Sequence, residues 1–327
     1  MRDNEILNPL ISSRVSLAPM AGITDYVLRA LVREHSKTCL LTTEMISSEA
    51  LTQVKDTEIV KRNPDHSPIS YQLSGHKPKM IADCAEYLQK YADMIDINMG
   101  CPVNKVVKGT DGAALMRNPE LAKEIVRTVK SQIKIPLSVK FRLGYTADEM
   151  NFVDYGIQMQ EAGADFITVH ARTRSQMYSG NADWKKISEL KRNVDIPVFA
   201  NGDITSPESA EQCLVESGAD GVAVGRGILG DVTLLYRIEK YINEGIKIPP
   251  PTLEEKVLDM KKHLMSEIEF RGENVGIKFV RKFYPYYING FCGASKYRGE
   301  LVLADNLQDI NKLLDEISLQ AKKNMLV

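Results

Sequence analysis

Apolar positions along this chain follow two alternating rhythms. Short dense runs recur as VSLAPM, CLLTTEM, PISYQLS, MIDINMG, PLSVKFRL, FITVHAR, PVFANGD and GVAVGRGI. Between them lie stretches with apolar residues three or four apart, among them DYVLRALVREHS, PKMIADCAEYLQKY, ELAKEIVRTVKSQ and SAEQCLVESG. The first rhythm predicts strands and the second amphipathic helices. Alternation of the two implies a parallel sheet. Eight strands ahead of residue 248 match a closed (β/α)8 TIM barrel, which takes about 250 residues. A weak internal repeat supports closure: Ile-Pro precedes a strand at 135–136 and 196–197, and Gly-Ala-Asp at 163–165 and 218–220. An open doubly wound sheet would usually carry G-x-G-x-x-G after its first strand, and LAPMAGITD has none.

The rhythm changes at KIPPPTLEEK. Three consecutive prolines, Pro249 to Pro251, make a stiff linker. Thr252 and Glu255 then have the spacing of a capping box. The rest of the chain has helical periodicity only, in VLDMKKHLMSEIEF and NLQDINKLLDEISLQ. Two domains are expected: a barrel over 1–247 and a small C-terminal helical domain over 248–327.

Strands buried on both faces should be apolar throughout, and several here are not. Gln72 and Ser70 oppose Ile69, Tyr71 and Leu73. Asp96 and Asn98 oppose Ile95, Ile97 and Met99. Ser138, Lys140 and Arg142 oppose Leu137, Val139 and Phe141, and Thr168 and His170 oppose Ile167 and Val169. Because side chains alternate across a strand, these polar residues point into the barrel. They gather toward the C-terminal rim, where barrel enzymes keep their active sites. The last two strands end in Asn201-Gly202-Asp203 and Gly225-Arg226-Gly227. Glycines admit a ligand close to the backbone, an arginine adds an anion partner, and these two loops commonly form a phosphate site. An inward Lys140 needs a compensating negative charge, which a phosphate, a reduced flavin or a carbonyl substrate could supply. Cys101, in INMGCPVNKVVKGTDGAAL, stands on a basic, glycine-rich loop built for access.

Composition narrows the partners. The net charge of -1 leaves nucleic-acid binding to a local patch. One exists: no acidic residue lies between Glu273 and Glu300, while Lys278, Arg281, Lys282, Lys296 and Arg298 do, with seven aromatics. Basic side chains pair with phosphates and aromatics stack on bases, although a small domain also needs aromatics for its core. Arg172, Arg174, Lys105 and Lys108 are further candidates. Five scattered cysteines without a Cys-x-x-Cys pair favour reduced thiols and a cytoplasmic location over disulfides or zinc. No signal-peptide run or membrane-length apolar segment is present, and no stable protein partner is implied.

LAPMAGITD, QLSG, DINMGCPVNKVVK, GAALM, SVKFRLG, VHARTR, ANGDI and VGRGILG together resemble the bacterial flavin-dependent tRNA-dihydrouridine synthases. The resemblance spans roughly Ser16 to Leu235 and continues weakly into the tail. It implies a flavin mononucleotide (FMN) reduced by NADPH, and tRNA as partner. Pro19, Met20 and Ala21 would line the flavin ring, and Gln72 would bond its pyrimidine edge. Lys140 and His170 would contact the isoalloxazine. Asn201, Gly202, Asp203, Gly225 and Arg226 would hold the phosphate. Asn98 would orient the target uracil, Cys101 would be the general acid, and Arg172, Arg281 and Lys282 would contact the RNA. The family often has a histidine after the Arg-Lys pair, where this chain has Phe283. A free thiol, with a pKa of about 8.5 in peptides, is mostly protonated at neutral pH and can donate. A uridine in folded RNA must be unstacked to reach it. The alternatives are a small-molecule flavin oxidoreductase of the dihydropyrimidine or dihydroorotate type, which needs no basic tail, and a non-catalytic RNA-binding barrel, which needs no Cys101.

Overall fold

The computed structural model describes residues 5–54, 60 and 63–324. All eight expected strands form, joined by one two-residue strand. They are β1 (Val15–Leu17), β2 (Leu41–Thr42), β3 (Ile46–Ser47), β4 (Ile69–Ser74), β5 (Met94–Asn98), β6 (Leu137–Arg142), β7 (Phe166–His170), β8 (Val198–Asn201) and β9 (Gly221–Val224). The sheet runs β1-β9-β8-β7-β6-β5-β4-β2, with β3 on the end of β4. Its pairings are parallel. The Leu17 N–H donates to the Leu40 carbonyl at 2.8 Å and closes the ring between β1 and β2. The architecture is a TIM barrel with helices packed outside and further helices after it.

The internal repeat has a physical cause. Pro136 and Pro197 precede β6 and β8 and have no N–H, so the first amide of each strand falls to the next residue. The Asp165 carboxylate accepts the Leu137 N–H at 2.8 Å, and Asp220 accepts that of Val198 at 2.8 Å. Each aspartate also takes a lysine from the helix that precedes the strand it caps, Lys130 at 2.5 Å and Lys191 at 2.7 Å. Gly163 and Gly218 end the intervening helices with φ of 111° and 61°, the left-handed cap that glycine adopts without strain.

The N-terminal end of the barrel is plugged by apolar contacts. Phe166 meets Phe199 edge to face at 4.8 Å, against Leu7, Leu40 and Met94. Above this floor the interior turns polar, as strand parity predicts.

The tail opens at the expected capping box: the Thr252 hydroxyl accepts the Glu255 N–H at 3.3 Å, and Glu255 accepts the Thr252 N–H at 2.7 Å. Helix Leu253–Arg271 lies against helix Tyr26–His35, and helices Ala294–Leu303 and Leu307–Asn324 complete a bundle around Met260, Leu264, Val280 and Leu314. Ile23 and Leu229 of the barrel pack into that core, and Arg271 pairs with Asp25 at 2.6 Å. Among the described residues, no helix is long and apolar enough to cross a membrane.

Candidate active site at the barrel mouth

A cavity of about 640 Å³ opens at the C-terminal rim. Of the expected site residues, Pro19, Met20, Ala21, Gln72, Asn98, Cys101, Lys140, His170, Asn201, Gly202, Asp203, Gly225 and Arg226 line it together. Arg142, Tyr178 and Tyr286 also line it; the sequence had placed Arg142 only as an inward residue and Tyr286 only among the aromatics of the basic window, and gave Tyr178 no role.

Strand register builds the site in rows. Gln72 stands beside Asp96, Asp96 beside Ser138, and Asn98 beside Lys140. Arg142 stands beside His170, and His170 beside Asn201. Neighbours in a row are close enough to bond, and the first row does. Asp96 accepts from Ser138 Oγ at 2.6 Å and from Gln72 Nε2 at 2.6 Å. Gln72 Oε1 accepts from Asn98 Nδ2 at 2.8 Å. Asn98 Oδ1 in turn accepts the N–H of Gly100 at 3.2 Å and of Cys101 at 2.9 Å. Gln72 Nε2 keeps a second hydrogen for the cavity. Asn98 therefore holds the start of the cysteine loop. The loop's far side closes on the same residue: the Ala113 N–H donates to the Cys101 carbonyl at 3.1 Å. Gly112, at φ 59°, lies so close that an added Cβ would sit 2.8 Å from that carbonyl. Cys101 is thus fixed at the cavity wall, partly exposed, with a free thiol.

The walls carry excess positive charge. Lys140, Arg142 and Arg226 line the cavity against one carboxylate, Asp203. Burial and then Arg142 push Lys140 down to about 8, with Asp96 and Cys101 opposing. Among the described residues its ammonium has no hydrogen-bond partner. The Arg142 guanidinium bonds carbonyls only, those of Gly100 at 2.8 Å, Thr173 at 2.9 Å and Met177 at 2.9 Å. Burial pulls it down to about 10. Burial and the surrounding cations, Arg142 first, hold His170 well below the ordinary histidine range, so its ring is neutral at pH 7. Burial alone would raise Asp203, but Arg172, the Ala182 N–H and Arg226 outweigh it and hold the carboxylate below its usual range. At Gly225 an added Cβ would be in ordinary contact with Met20 Sδ at 3.7 Å, so this backbone lines the cavity without being crowded.

The remaining candidates have partners within the chain. Arg172 is fully buried and bonds Asp203 at 2.7 Å and the carbonyls of Ser179 and Gly180. Arg174 reaches Asn104 at 2.5 Å, bracing the cysteine loop. Arg281 pairs with Asp305 and bonds the Ala304 carbonyl. Lys282 bonds the Gly22 carbonyl. Phe283, Tyr284, Tyr287 and Tyr297 are buried in the tail core, whereas Tyr286 is 42% exposed and reaches the cavity. The side chains of Lys105 and Lys108 lie outside the described ones. Cys84 and Cys213 are buried, as their helices predict.

Comparison with known proteins gives a consistent result. A model of the dihydrouridine synthase family matches residues 16–324. A probable tRNA-dihydrouridine synthase 1 of Synechocystis is 39% identical over 314 residues, covering 95% of this chain and 88% of its own. A tRNA-dihydrouridine synthase B of Shewanella oneidensis is 37% identical, covering 85% of this chain and 87% of its own. A solved 2-naphthoyl-CoA reductase complex shares the fold, with a TM-score of 0.54 at 10% identity over 71% of this chain and 50% of its own.

Proposed function

This chain belongs to the dihydrouridine synthase family, and on that premise we propose that it reduces uridines in tRNA to 5,6-dihydrouridine with FMN in the cavity. The substrate follows from the names of its relatives, and the cofactor from the fit of the walls. Pro19, Met20 and Ala21 offer an apolar side for a flat ring. Lys140 offers an unpaired cation, and Gln72 a free N–H, to the polar edge of such a ring. Gly202 and Gly225 line the cavity, and Arg226 brings charge to a phosphate. FMN held by these residues would supply hydride for the uracil double bond, with NADPH as its reductant.

The chain's own residues do the rest. Cys101 delivers a proton to the second carbon of the double bond, and its loop is held by Asn98 and Gly112. Lys140 stabilises negative charge in the cavity, and neutral His170 leaves that task to it. Residues 1–247 form the catalytic unit, and 248–327 form a helical unit that engages RNA in the cytoplasm.

One observation carries this reading: a partly exposed thiol pinned on the wall of a cationic cavity. Cys101→Ala tests it. FMN should still bind and be reduced by NADPH at near wild-type rate. Reoxidation by unmodified tRNA, followed anaerobically by flavin absorbance, should slow by about 100- to 10,000-fold, the contribution of a positioned acid. Reoxidation at the wild-type rate removes Cys101 as the donor.

A further inference from the structure

The turn that lines one side of the cavity is gripped from behind by the helical tail. After β1 the chain makes a tight turn: the Ile23 and Thr24 N–H groups both donate to the Met20 carbonyl at 3.0 Å. Gly22 forms its tip at φ 71°. Pro19, Met20, Ala21 and Ile23 face the cavity. The Gly22 N–H donates to Glu44 Oε1 of the barrel at 2.5 Å, and its carbonyl accepts from Lys282 Nζ of the tail. Three residues on, Asp25 accepts from Arg271 Nη2, also of the tail, at 2.6 Å. Between these two grips Ile23 packs into the tail core. Arg271 and Lys282 both lie over the Phe279 ring, at 4.0 and 3.3 Å from its centroid.

A lysine that only meets RNA has no need of this arrangement. Its ammonium lies over an aromatic ring and is delivered to one backbone carbonyl 260 residues earlier. The receiving residue is a glycine, the residue type least able to hold a turn by itself. Loss of the grip frees a segment whose opposite side is cavity wall. We propose that Lys282 is a positioning residue for the cofactor site: with Arg271 on Asp25, it sets the shape of the 19–24 turn and so the fit of the flavin-facing wall. This rests on the flavin reading of the cavity.

The test uses full-length apoprotein with no RNA present. Lys282→Met keeps an unbranched apolar side chain beside Phe279 and removes the charged donor. Two quantities are read: the FMN dissociation constant by fluorescence titration, and hydrogen exchange at the Ile23 and Thr24 amides. Loss of one hydrogen bond should raise the FMN constant about three- to tenfold and speed exchange at both amides. Lys282→Arg, which keeps a charged donor, should restore both. If K282M matches wild type in both, the proposal is overturned and Lys282 is left to RNA. If wild-type protein takes up no FMN, the flavin reading fails instead. Exchange then decides the grip alone: unchanged exchange in K282M overturns it, and faster exchange upholds it.

Discussion

Removing the Asn98 amide should loosen Cys101 and cost Gln72, on the cofactor wall, one of its two partners. Asn98→Ala deletes three hydrogen bonds: those from Gly100 and Cys101 to Oδ1 and the one from Nδ2 to Gln72. Asn98 is 8% exposed and Gly100 is buried. An unpaired buried donor or acceptor costs about 1–3 kcal/mol. The Gly100 N–H and Gln72 Oε1 bear that cost, while the amide of partly exposed Cys101 can turn to water. The expected loss is about 2–6 kcal/mol. At about 2–4 °C per kcal/mol for domains of 150–250 residues, the melting temperature should fall by about 4–24 °C. The catalytic effect is separate, since a displacement of about 1 Å in a reacting group can slow a reaction about 100-fold. Scanning calorimetry reads the first effect. Anaerobic mixing of reduced protein with unmodified tRNA reads the second, and reoxidation should slow by about 100-fold. Reduction by NADPH should stay near wild type. Asn98→Asp keeps the acceptor for both amides and should fall between. An unchanged melting temperature with unchanged reoxidation would mean that the contacts at Gly112 and Ala113 hold the loop alone, and the role given to Asn98 is refuted.

Lys140 makes a prediction about pH. Its pKa falls from 10.5 to about 8 on folding, so between those values the unfolded chain holds a proton that the native one lacks. Stability of the ligand-free protein should therefore rise with pH across that window, with the full penalty present below 8. Lys140→Met should stabilise the ligand-free protein near pH 7 by up to about 3 kcal/mol, and the gain should shrink by pH 10 while FMN binding weakens. A gain in melting temperature independent of pH contradicts the assignment. Ending the chain after Lys247 tests the domain boundary. The barrel should still melt cooperatively and bind FMN, but more weakly for want of Tyr286 and Lys282. The salt dependence of its RNA binding should flatten by about one slope unit for each phosphate that the tail had neutralised. An aggregated product would mean that Ile23 and Leu229 cannot do without their cover.

Strand periodicity and parity were enough to place Gln72, Asn98, Lys140 and His170 around one cavity, because alternation in a parallel strand is a local property. The capping box at Thr252 was legible for the same reason. The repeated Gly-Ala-Asp was visible, but not its use, since Asp165 and Asp220 act on amides of the preceding strand some 25 residues away. Tyr178 was missed because it reaches the cavity from a loop whose path is tertiary; Tyr286, counted among the aromatics of the basic window, reaches it from the short tail helix Tyr284–Tyr287. Arg142 was read as inward, but its three carbonyl partners come from the folded cysteine loop and the 173–177 turn. Arg281 and Lys282 were read as RNA contacts in a basic window. Asp305 and Gly22, which engage them, lie outside that window.

The row from Cys101 to Asp96 has one more consequence. Each amide in it, Asn98 and Gln72, could be turned end for end with little change of shape. What breaks that ambiguity is the carboxylate, which only accepts. It demands the N–H of Gln72, which turns Gln72's oxygen to Asn98, which turns Asn98's oxygen to the cysteine loop. Every donor therefore points the same way, from the loop at the mouth toward the barrel interior, and mutual polarisation favours that common sense. Asp96 touches no part of Cys101, yet it acts as the end stop of an orientational code. An asparagine there, able to give or take, would leave both amides with two readings of nearly equal energy, and the loop amides with an oxygen before them in only one.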